Sequence, residues 1–262
     1  MKGNPAMYKD LFDLTGKVAI VTGGAGGIGE ALAEAVCAYG AKTIICSRNM
    51  EKLQEAAETI RSKTGGEVEA MTIDVTDEAS VNQMFKAVAD KYGKIDILIN
   101  SMGMNIKREA MEYPMEDWDK MFAVNVKGTM ICCKAVSKYM KAQGGGNIIN
   151  LSSVRGIRGM SGGNVGYAAT KAAVELMTKS LALEWAETGI RVNALAPALI
   201  ITPGTKHIME NPELAKKRAE AIPLKRLGMP EDMMAACVFL AGPGASFVTG
   251  QTIFVDGGST AG

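Results

Sequence analysis

Residues 17–30 read KVAIVTGGAGGIGE and decide the fold of this chain. The first part is a short apolar run of the kind that forms a buried strand, and the residues after the turn have the apolar spacing of a helix. The glycine-rich turn between them lets the backbone approach a pyrophosphate group, whose charge the helix N-terminus favours. This context favours a ligand-binding turn over a turn without a ligand. Its glycines fit two spacings, Gly24-x-Gly26-x-x-Gly29 and Gly23-x-x-x-Gly27-x-Gly29.

Outward from this segment, strand-like and helix-like segments alternate along the chain, which predicts parallel strands joined by right-handed crossovers. The fold class is therefore α/β, one doubly wound Rossmann-type domain over residues 1–262 with a parallel seven-stranded sheet and helices on both faces. Residues 201–223 are rich in charge and proline, have no strand character and are expected to form a substrate lid. The predicted strands are 17–23, 43–47, 68–74, 95–100, 147–153, 190–197 and 251–258. The predicted helices are 28–40, 50–63, 78–92, 115–142, 167–188 and 230–240.

Composition excludes several classes of function. Lys and Arg total 29 against 28 for Asp and Glu, so a net charge of +1 gives no footprint for nucleic acid or an anionic membrane. There is no apolar run of the roughly 18 residues that a membrane span needs, and the N-terminus lacks the apolar stretch of a signal peptide. We expect a cytoplasmic protein without a metal site, because His207 is the only histidine and none of the five cysteines forms a C-x-x-C pair.

The end of the second predicted strand indicates the cofactor. Many dinucleotide sites carry Asp or Glu there to bind the ribose 2′-hydroxyl. This chain has Ser47 and Arg48 instead. An arginine accommodates a 2′-phosphate through charge-assisted hydrogen bonds, and a serine adds a donor. The pair therefore favours NADP(H) over NAD(H), against the alternative of a solvated surface arginine.

A second group of residues indicates proton chemistry. Tyr167 and Lys171 are one helical turn apart and project from one face of a predicted helix. Ser153 lies at the end of a predicted strand and would face the same crevice. A free tyrosine has a pKa near ~10, and a nearby ammonium together with a cationic nicotinamide would lower it. In isolation this group would be an ordinary surface Tyr and Lys.

The group is not isolated, because TG-x-x-x-GIG, N-x-x-G, a serine and Y-x-x-x-K follow in this order. The chain from about residue 14 to residue 258 resembles the short-chain dehydrogenase/reductase family. The resemblance implies that Tyr167 is the catalytic acid/base and that Lys171 lowers its pKa and binds the nicotinamide ribose. It also implies that Ser153 orients the substrate and that Asn125, in NVKG, anchors a water relay behind the lysine.

The resemblance also implies a set of cofactor contacts. Asp74 matches the residue that contacts adenine, and residues 197–202 match the loop that fixes the carboxamide, with Ile200 acting through its backbone and Thr202 through its hydroxyl. The C-terminal FVDGG resembles the segment that packs between the subunits of the family's tetramers, so a homotetramer is expected. The expected cofactor residues are Gly23, Gly27, Ile28, Gly29, Ser47, Arg48, Asp74, Val75, Asn100, Tyr167, Lys171, Pro197, Ile200 and Thr202.

Three departures from the family pattern stand out. Where the family has N-N-A-G, this chain has Asn100 followed by Ser101, Met102 and Gly103, and the larger Met102 is expected to narrow the cofactor crevice. Ala198 replaces the glycine that usually follows the proline, which removes backbone freedom. The segment from Ser153 to Tyr167 is about one residue longer than in the family pattern, which changes the shape of the entrance to the substrate site. None of these changes a catalytic group.

The substrate is a small molecule whose identity the sequence narrows only in part. The stretches DLFDLTGK and GMNIKREAMEYPMEDWDKMFAVNVKG resemble the sugar-acid and polyol branch of the family, such as gluconate 5-dehydrogenases. A 3-oxoacyl-thioester reductase acting on an acyl carrier protein is the alternative enzyme. A dinucleotide-sensing or scaffolding protein is the alternative outside catalysis, although such a protein need not keep all three catalytic residues. The candidate cations for a substrate carboxylate, each otherwise a solvated loop residue, are Lys107, Arg108, Arg155 and Arg158.

Overall fold

A parallel seven-stranded sheet runs through the computed structural model, which describes residues 9–262. The strand order is β3-β2-β1-β4-β5-β6-β7, and every neighbouring pair is parallel. This confirms the predicted doubly wound α/β fold; the part of the prediction at residues 1–8 lies outside the described residues. The strands are β1 Val18–Thr22, β2 Lys42–Ser47, β3 Val68–Thr72, β4 Ile97–Asn100, β5 Gly146–Leu151, β6 Ile190–Pro197 and β7 Thr252–Val255.

Eight α-helices surround the sheet within the described residues. Asn49 caps the helix Met50–Thr64 and Asp77 caps the helix Glu78–Tyr92 with their side chains, and Gly65 and Gly93 end these two helices in the left-handed conformation. The helices are α1 Gly27–Ala38, α2 Met50–Thr64, α3 Glu78–Tyr92, α4 Met115–Phe122, α5 Gly128–Ala142, α6 Val165–Trp185, α7 Pro212–Glu220 and α8 Met234–Ala241.

The two faces of the sheet carry separate apolar cores. On one face Leu32, Leu53 and Val238 are buried, which places α1, α2 and α8 together. On the other face Phe85 and Val136 are buried, which places α3 and α5 together. The strands are apolar on both sides because helices cover both sides. Within residues 9–262, no helix has both the length and the apolar character needed to cross a bilayer.

The strand order reverses direction between β1 and β4, and this reversal creates a crevice at the edge of the sheet. The chain moves outward in one direction from β1 to β3, and then returns to add β4 beside β1 and continues outward in the other direction. Loops after β1 and β4 therefore leave the sheet on opposite sides and leave a crevice between them. Ligands bind at such a switch point in open α/β sheets.

Several elements differ from the sequence prediction in detail, and three of these differences lie in the helix over 115–142, the last strand and the predicted lid. The helix predicted over residues 115–142 is α4 and α5 joined by a π-helical turn at Ala123–Lys127. The last strand is shorter than predicted and ends at Val255, because Gly257 and Gly258 adopt positive φ angles. The predicted lid segment contains a 3-10 turn at Lys206–Ile208 and the short helix α7.

Candidate active site

The turn after β1 brings the backbone into close contact with itself. Gly23 and Gly27 have positive φ angles of 71° and 59°. A Cβ at Gly29 would lie 2.2 Å from the carbonyl oxygen of Gly23, so position 29 requires glycine. Helix α1 begins at Gly27, and among residues 9–262 its N-terminus has no side-chain cap. Ile28 lies in its first turn. The residues therefore fit the pyrophosphate of a dinucleotide at a helix N-terminus.

The segment after β6 closes over this turn. The Cγ2 of Thr202 lies 3.3 Å from the position that a Cβ would take at Gly27. The backbone N–H of Thr202 donates to the hydroxyl of Thr205 at 2.8 Å, and that hydroxyl donates to the carbonyl of Ile200 at 2.8 Å. Pro197 is buried at the end of β6. The segment 197–202, which contains three expected cofactor residues, is held by these hydrogen bonds and contacts the glycine turn.

Ser47, Arg48 and Asp74 follow one another along the carboxyl ends of β2 and β3. The hydroxyl and the backbone N–H of Thr76 donate to Asp74 at 2.7 and 2.9 Å. These bonds hold the pKa of Asp74 below its usual value, and the charge of Arg48 adds to the effect. Arg48 is exposed, so its guanidinium is accessible to a ligand from solvent.

The side chains of Val75 and Asn100 pack toward the interior of the domain. Val75 packs against the core beneath α3 and α5. The side-chain amide of Asn100 donates to Oδ1 of Asn150 at 2.9 Å and lies 3.3 Å from the sulfur of Cys133. Asn100 is nearly inaccessible. Its side chain joins β4 to β5, so the structure gives this predicted cofactor residue a role inside the sheet.

Ser101 and Met102 lie directly across from the glycine turn. The backbone N of Met102 is 2.9 Å from the position of a Cβ at Gly23, and Oγ of Ser101 is 3.1 Å from that at Gly29. The hydroxyl of Thr22 donates to the sulfur of Met102 at 2.9 Å. The methionine side chain packs against the core. The larger residue is thus accommodated inward, where the family pattern has alanine.

Asn125 lies in the π-helical turn and is buried. Its amide nitrogen donates to the carbonyl of Met104 at 2.9 Å and to the hydroxyl of Thr170 at 3.0 Å. Its Oδ1 accepts from the backbone N–H of Met104 at 2.9 Å. A Cβ at Gly103 would lie 3.6 Å from both this oxygen and Nζ of Lys171. Asn125 therefore fixes the loop after β4 beside the lysine, and π turns are frequent at functional sites.

Ser153, Tyr167 and Lys171 meet at the carboxyl end of β5. Ser153 caps the 3-10 turn Val154–Gly156, where its Oγ accepts from the backbone N–H of Arg155 at 3.2 Å. Nζ of Lys171 lies 5.7 Å from the centroid of the Tyr167 ring. The same Nζ donates to the carbonyl of Leu151, the last residue of β5, at 2.6 Å. The structure thus brings together the three predicted catalytic residues that the sequence separates.

Burial controls the ionisation of this group. Burial raises the pKa of Tyr167, while the Ser153 hydroxyl and the charge of Arg155 lower it in part. In the protein alone the shift is opposite to the predicted lowering, because burial outweighs its neighbours. Burial also lowers the pKa of Lys171 to about 8, against the charge of Glu175, which raises it. Each residue is shifted toward its neutral form.

A family model and several sequence relatives identify the family to which the chain belongs. A family model described as Enoyl-(Acyl carrier protein) reductase matches residues 23–260. The chain is 42% identical over 251 residues to a 3-oxoacyl-[acyl-carrier-protein] reductase of Thermotoga maritima, covering 94% of this chain and 98% of that protein. It is 35% identical over 253 residues to gluconate 5-dehydrogenase of Gluconobacter oxydans, covering 97% of this chain and 98% of that protein.

A solved structure is similar to this chain as well. The crystal structure of a gluconate 5-dehydrogenase from Burkholderia cenocepacia, in complex with NADP and tartrate, superposes with a TM-score of 0.91. It is 33% identical, and the match covers 97% of this chain and 99% of that chain. The chain belongs to the short-chain dehydrogenase/reductase family. The resemblance drawn from the motifs is confirmed.

Two of the predicted substrate cations of this short-chain dehydrogenase/reductase lie in the loop after β4. The Nε of Arg108 forms an ion pair with Asp117 at 2.8 Å, and its backbone N–H donates to the carbonyl of Gly163 at 3.1 Å. Lys107 is exposed beside it. A substrate carboxylate would have to compete with Asp117 for Arg108.

The other two predicted cations follow the catalytic serine. Arg155 is partly buried, and its charge acts on Tyr167. Arg158 donates to the carbonyl of Ser259. Burial lowers the pKa of Arg155, and the charges of Arg158 and Arg218 lower it further. No carboxylate of residues 9–262 forms an ion pair with these three arginines.

Sequence reasoning missed two residues on α6. The hydroxyl of Thr170 accepts from Asn125 and donates to the carbonyl of Tyr167 at 2.8 Å, so it links the π turn to the catalytic helix. Glu175 is buried one turn beyond Lys171. Helical spacing was the available signal, since positions 171 and 175 share one face and position 170 lies next to that face.

Proposed function

We propose that this short-chain dehydrogenase/reductase is an NADP(H)-dependent enzyme that acts on a carbonyl or secondary alcohol of a sugar, a sugar acid or a polyol. The observation that carries the proposal is the meeting of Ser153, Tyr167 and a buried Lys171 at the carboxyl end of β5. Family membership supports an oxidoreductase acting on CH–OH and C=O groups. A protein that only senses a dinucleotide would not need all three side chains.

The mechanism follows from the chemistry of these groups. The glycine turn and the segment after β6 would hold NADP(H), which would supply or accept a hydride at its nicotinamide ring. Ser153 orients the substrate oxygen by a hydrogen bond. In reduction the phenol of Tyr167 donates its proton to that oxygen, and in oxidation the phenolate takes a proton from the hydroxyl group. The ammonium of Lys171 stabilises the phenolate, because opposite charges favour each other in a buried site.

The choice of NADP(H) rests on the end of β2. Arg48 is exposed there, and its influence on the pKa of Asp74 places its charge near the other expected adenosine contact. An arginine at this position suits a phosphate on the ribose, since its guanidinium can donate two parallel hydrogen bonds. The Burkholderia cenocepacia relative was crystallised with NADP, which supports the same choice.

For an acidic substrate, we assign the carboxylate to Arg155, with Arg158 and Arg218 near it. Arg155 stands two positions after Ser153 and affects Tyr167, so it is close to the reacting group. Lys107 and Arg108 remain candidates at the rim, although Arg108 already pairs with Asp117. A buried carboxylate needs a cation because leaving it unpaired is costly. Residues 201–223, including Arg218, would form the lid over this position.

A 3-oxoacyl-thioester reductase is the second candidate. The reductase of Thermotoga maritima is 42% identical to this chain, and a reductase of this type in Synechocystis sp. is 39% identical. The gluconate 5-dehydrogenase is less similar in sequence, at 35%, but it matches slightly more of this chain. Arginines near the site would suit either a sugar acid or an acidic carrier protein.

A panel of substrates tests these alternatives. We expect NADPH-dependent reduction of keto sugar acids or ketoses, with less turnover of an acyl thioester, and Tyr167→Phe as the control for contaminating activity. Arg155→Ala should raise KM about tenfold for a sugar acid, roughly 1.4 kcal/mol, and leave the KM for a neutral polyol unchanged. Arg108→Ala is the matched control with a smaller effect. Preferred reduction of the thioester would replace the sugar-acid proposal by the second candidate.

A further inference from the structure

Glu175 is a buried carboxylate that the mechanism above does not use. It is 7% exposed and lies on α6, where Tyr167, Lys171 and Glu175 follow at intervals of four residues and so share one face. Its Cγ is 2.9 Å from the position that a Cβ would take at Gly156, in the turn that carries Arg155. The same Cβ position is 3.0 Å from the carbonyl oxygen of Lys171. The glutamate side chain therefore lies against the backbone of the catalytic lysine.

The two carboxylate oxygens have different surroundings. Oε2 accepts a hydrogen bond from the hydroxyl of Thr252 on β7. Oε1 is buried and has no hydrogen-bond partner among residues 9–262. Buried polar atoms are nearly always paired, and a buried charge is costly unless another charge compensates it. The carboxylate thus needs a cation in its neighbourhood.

Lys171 is the cation that fits. It is itself 4% exposed and precedes Glu175 by one helical turn. Nζ donates to the carbonyl of Leu151, a neutral group, so its positive charge also lacks a direct ionic partner there. Two buried charges of opposite sign attract each other more strongly than they would in water, because the surroundings are less polar.

Other charged groups around α6 are engaged or distant. The strands β5 and β7 contain no charged residue, and Arg191, the only one on β6, donates to carbonyls at the opposite end of the strand. Arg155 acts on Tyr167, and Asp117 of α4 pairs with Arg108. The remaining charged side chains of α4, the π turn and α6 itself are exposed: Glu116, Asp119, Lys120, Lys127, Lys179 and Glu184.

We propose that Glu175 is a positioning residue for Lys171: its buried carboxylate keeps the lysine in the charged form that the phenol of Tyr167 requires. This inference rests on the proposed function, since it assigns Lys171 to the proton transfer. Glu175 itself touches neither substrate nor cofactor. It acts through the lysine, from the side of the helix that faces β7.

The direction of the effect follows from the balance at Lys171. Burial lowers the pKa of the lysine to about 8, and the Glu175 charge raises it against burial. Removing that charge lowers the pKa further, so the ammonium is lost at a lower pH. Activity that depends on charged Lys171 then fails earlier as the pH rises, and activity well below the pKa changes little.

The test is the pH profile of kcat/KM between pH 6 and 10 for wild type and Glu175→Gln, which removes the charge and keeps the shape. We expect the alkaline limb to move down by about one pH unit, which corresponds to roughly tenfold less activity above that limb. Glu175→Asp moves the charge back by one methylene group, so the alkaline limb of its profile should lie between those of wild type and Glu175→Gln. Thr252→Val is the matched control, because it removes the hydrogen bond and leaves the charge.

A second readout does not require turnover. The dissociation constant of NADPH, followed by the fluorescence of the bound nicotinamide, should become pH-sensitive at a lower pH in Glu175→Gln, since Lys171 is expected to bind the nicotinamide ribose. If no substrate turns over but this shift is seen, the proposed function fails and the role of Glu175 stands. Profiles that differ only by a constant factor would overturn the inference, as would an equal shift in Thr252→Val. If Glu175→Gln does not fold, an unshifted Glu175→Asp overturns it.

Discussion

At the scale of single residues, burial disfavours the charged forms of the groups in the site, and neighbouring groups partly offset this effect. A partly buried tyrosine and a buried lysine are each pushed toward neutrality, and only local partners oppose this. Ser153 and Arg155 act on the tyrosine, while Glu175 acts on the lysine. The ionisation of Tyr167 and Lys171 therefore depends on these neighbours as well as on burial.

The phenol of Tyr167 is the group whose loss should stop the reaction. Tyr167→Phe keeps the ring and its packing and removes the proton donor, a step worth typically 10²–10⁴-fold. We expect kcat to fall by about this factor in steady-state assays, with the affinity for NADPH almost unchanged in fluorescence titration. Retention of half the wild-type rate would show that another group transfers the proton.

The guanidinium of Arg48 should decide between the two cofactors. Arg48→Ala removes the hydrogen bonds to a 2′-phosphate, which are worth about 1.5–3 kcal/mol when the acceptor is charged. NADPH binding should weaken accordingly, while NADH binding should hardly change, because NADH has no such phosphate. Isothermal titration with both cofactors measures the difference. A wild-type preference for NADH under matched conditions would contradict the assignment.

Residue types and spacing were enough to predict that Ser153, Tyr167 and Lys171 lie in one site, but not to predict the contacts of individual side chains around it. Ser153, Tyr167 and Lys171 have a characteristic order along the chain, so their meeting could be predicted. The inward turn of Asn100 could not, because it depends on Asn150, a residue distant in sequence that lies across the β4–β5 pair. The partner of Arg108 was hidden for the same reason, since Asp117 reaches it only after α4 has packed.

At the scale of elements, the strand–turn–helix unit at β1 and α1 was the most predictable part of the molecule. Its glycines are required by contacts within the unit, so the sequence alone contains the signal. The π turn between α4 and α5 carries no such signal, because the residues on both sides have ordinary helical spacing. The π turn places Asn125 between Met104 and Thr170, and these contacts form only in the tertiary structure.

The close approach at Gly29 gives a prediction for this unit. Gly29→Ala would put a methyl group 2.2 Å from the carbonyl oxygen of Gly23, so the turn must open. We expect NADPH binding to weaken at least about tenfold and the melting temperature to fall, because both helix packing and phosphate contacts use this turn. Gly159→Ala is the control, since a Cβ there has nothing within 4 Å. Equal behaviour of the two variants in binding and thermal melts would contradict the role of the turn.

At the scale of the whole molecule, the apolar residues that remain exposed are informative. Leu176 and Leu183 of α6 are 66% and 82% exposed. They are seven residues apart and so lie on one side of the helix, facing away from the catalytic side. Exposed apolar groups that line up in this way are typical of a surface that another chain covers. We propose a homotetramer in which α6 packs against its copy and the FVDGG segment forms a second contact.

Charge placed on this side of α6 should break the assembly. Leu183→Glu puts a carboxylate opposite its own copy in a symmetric contact, where it would be both repelled and stripped of water. In light scattering at micromolar concentration we expect the wild type to have four times the monomer mass and the variant to fall to a smaller species. Tyr39→Glu is the control, because Tyr39 is also exposed, at 51%, but lies at the end of α1 away from α6. A wild type that is monomeric at this concentration, or a Leu183→Glu variant that stays intact, would mean that α6 is not an interface.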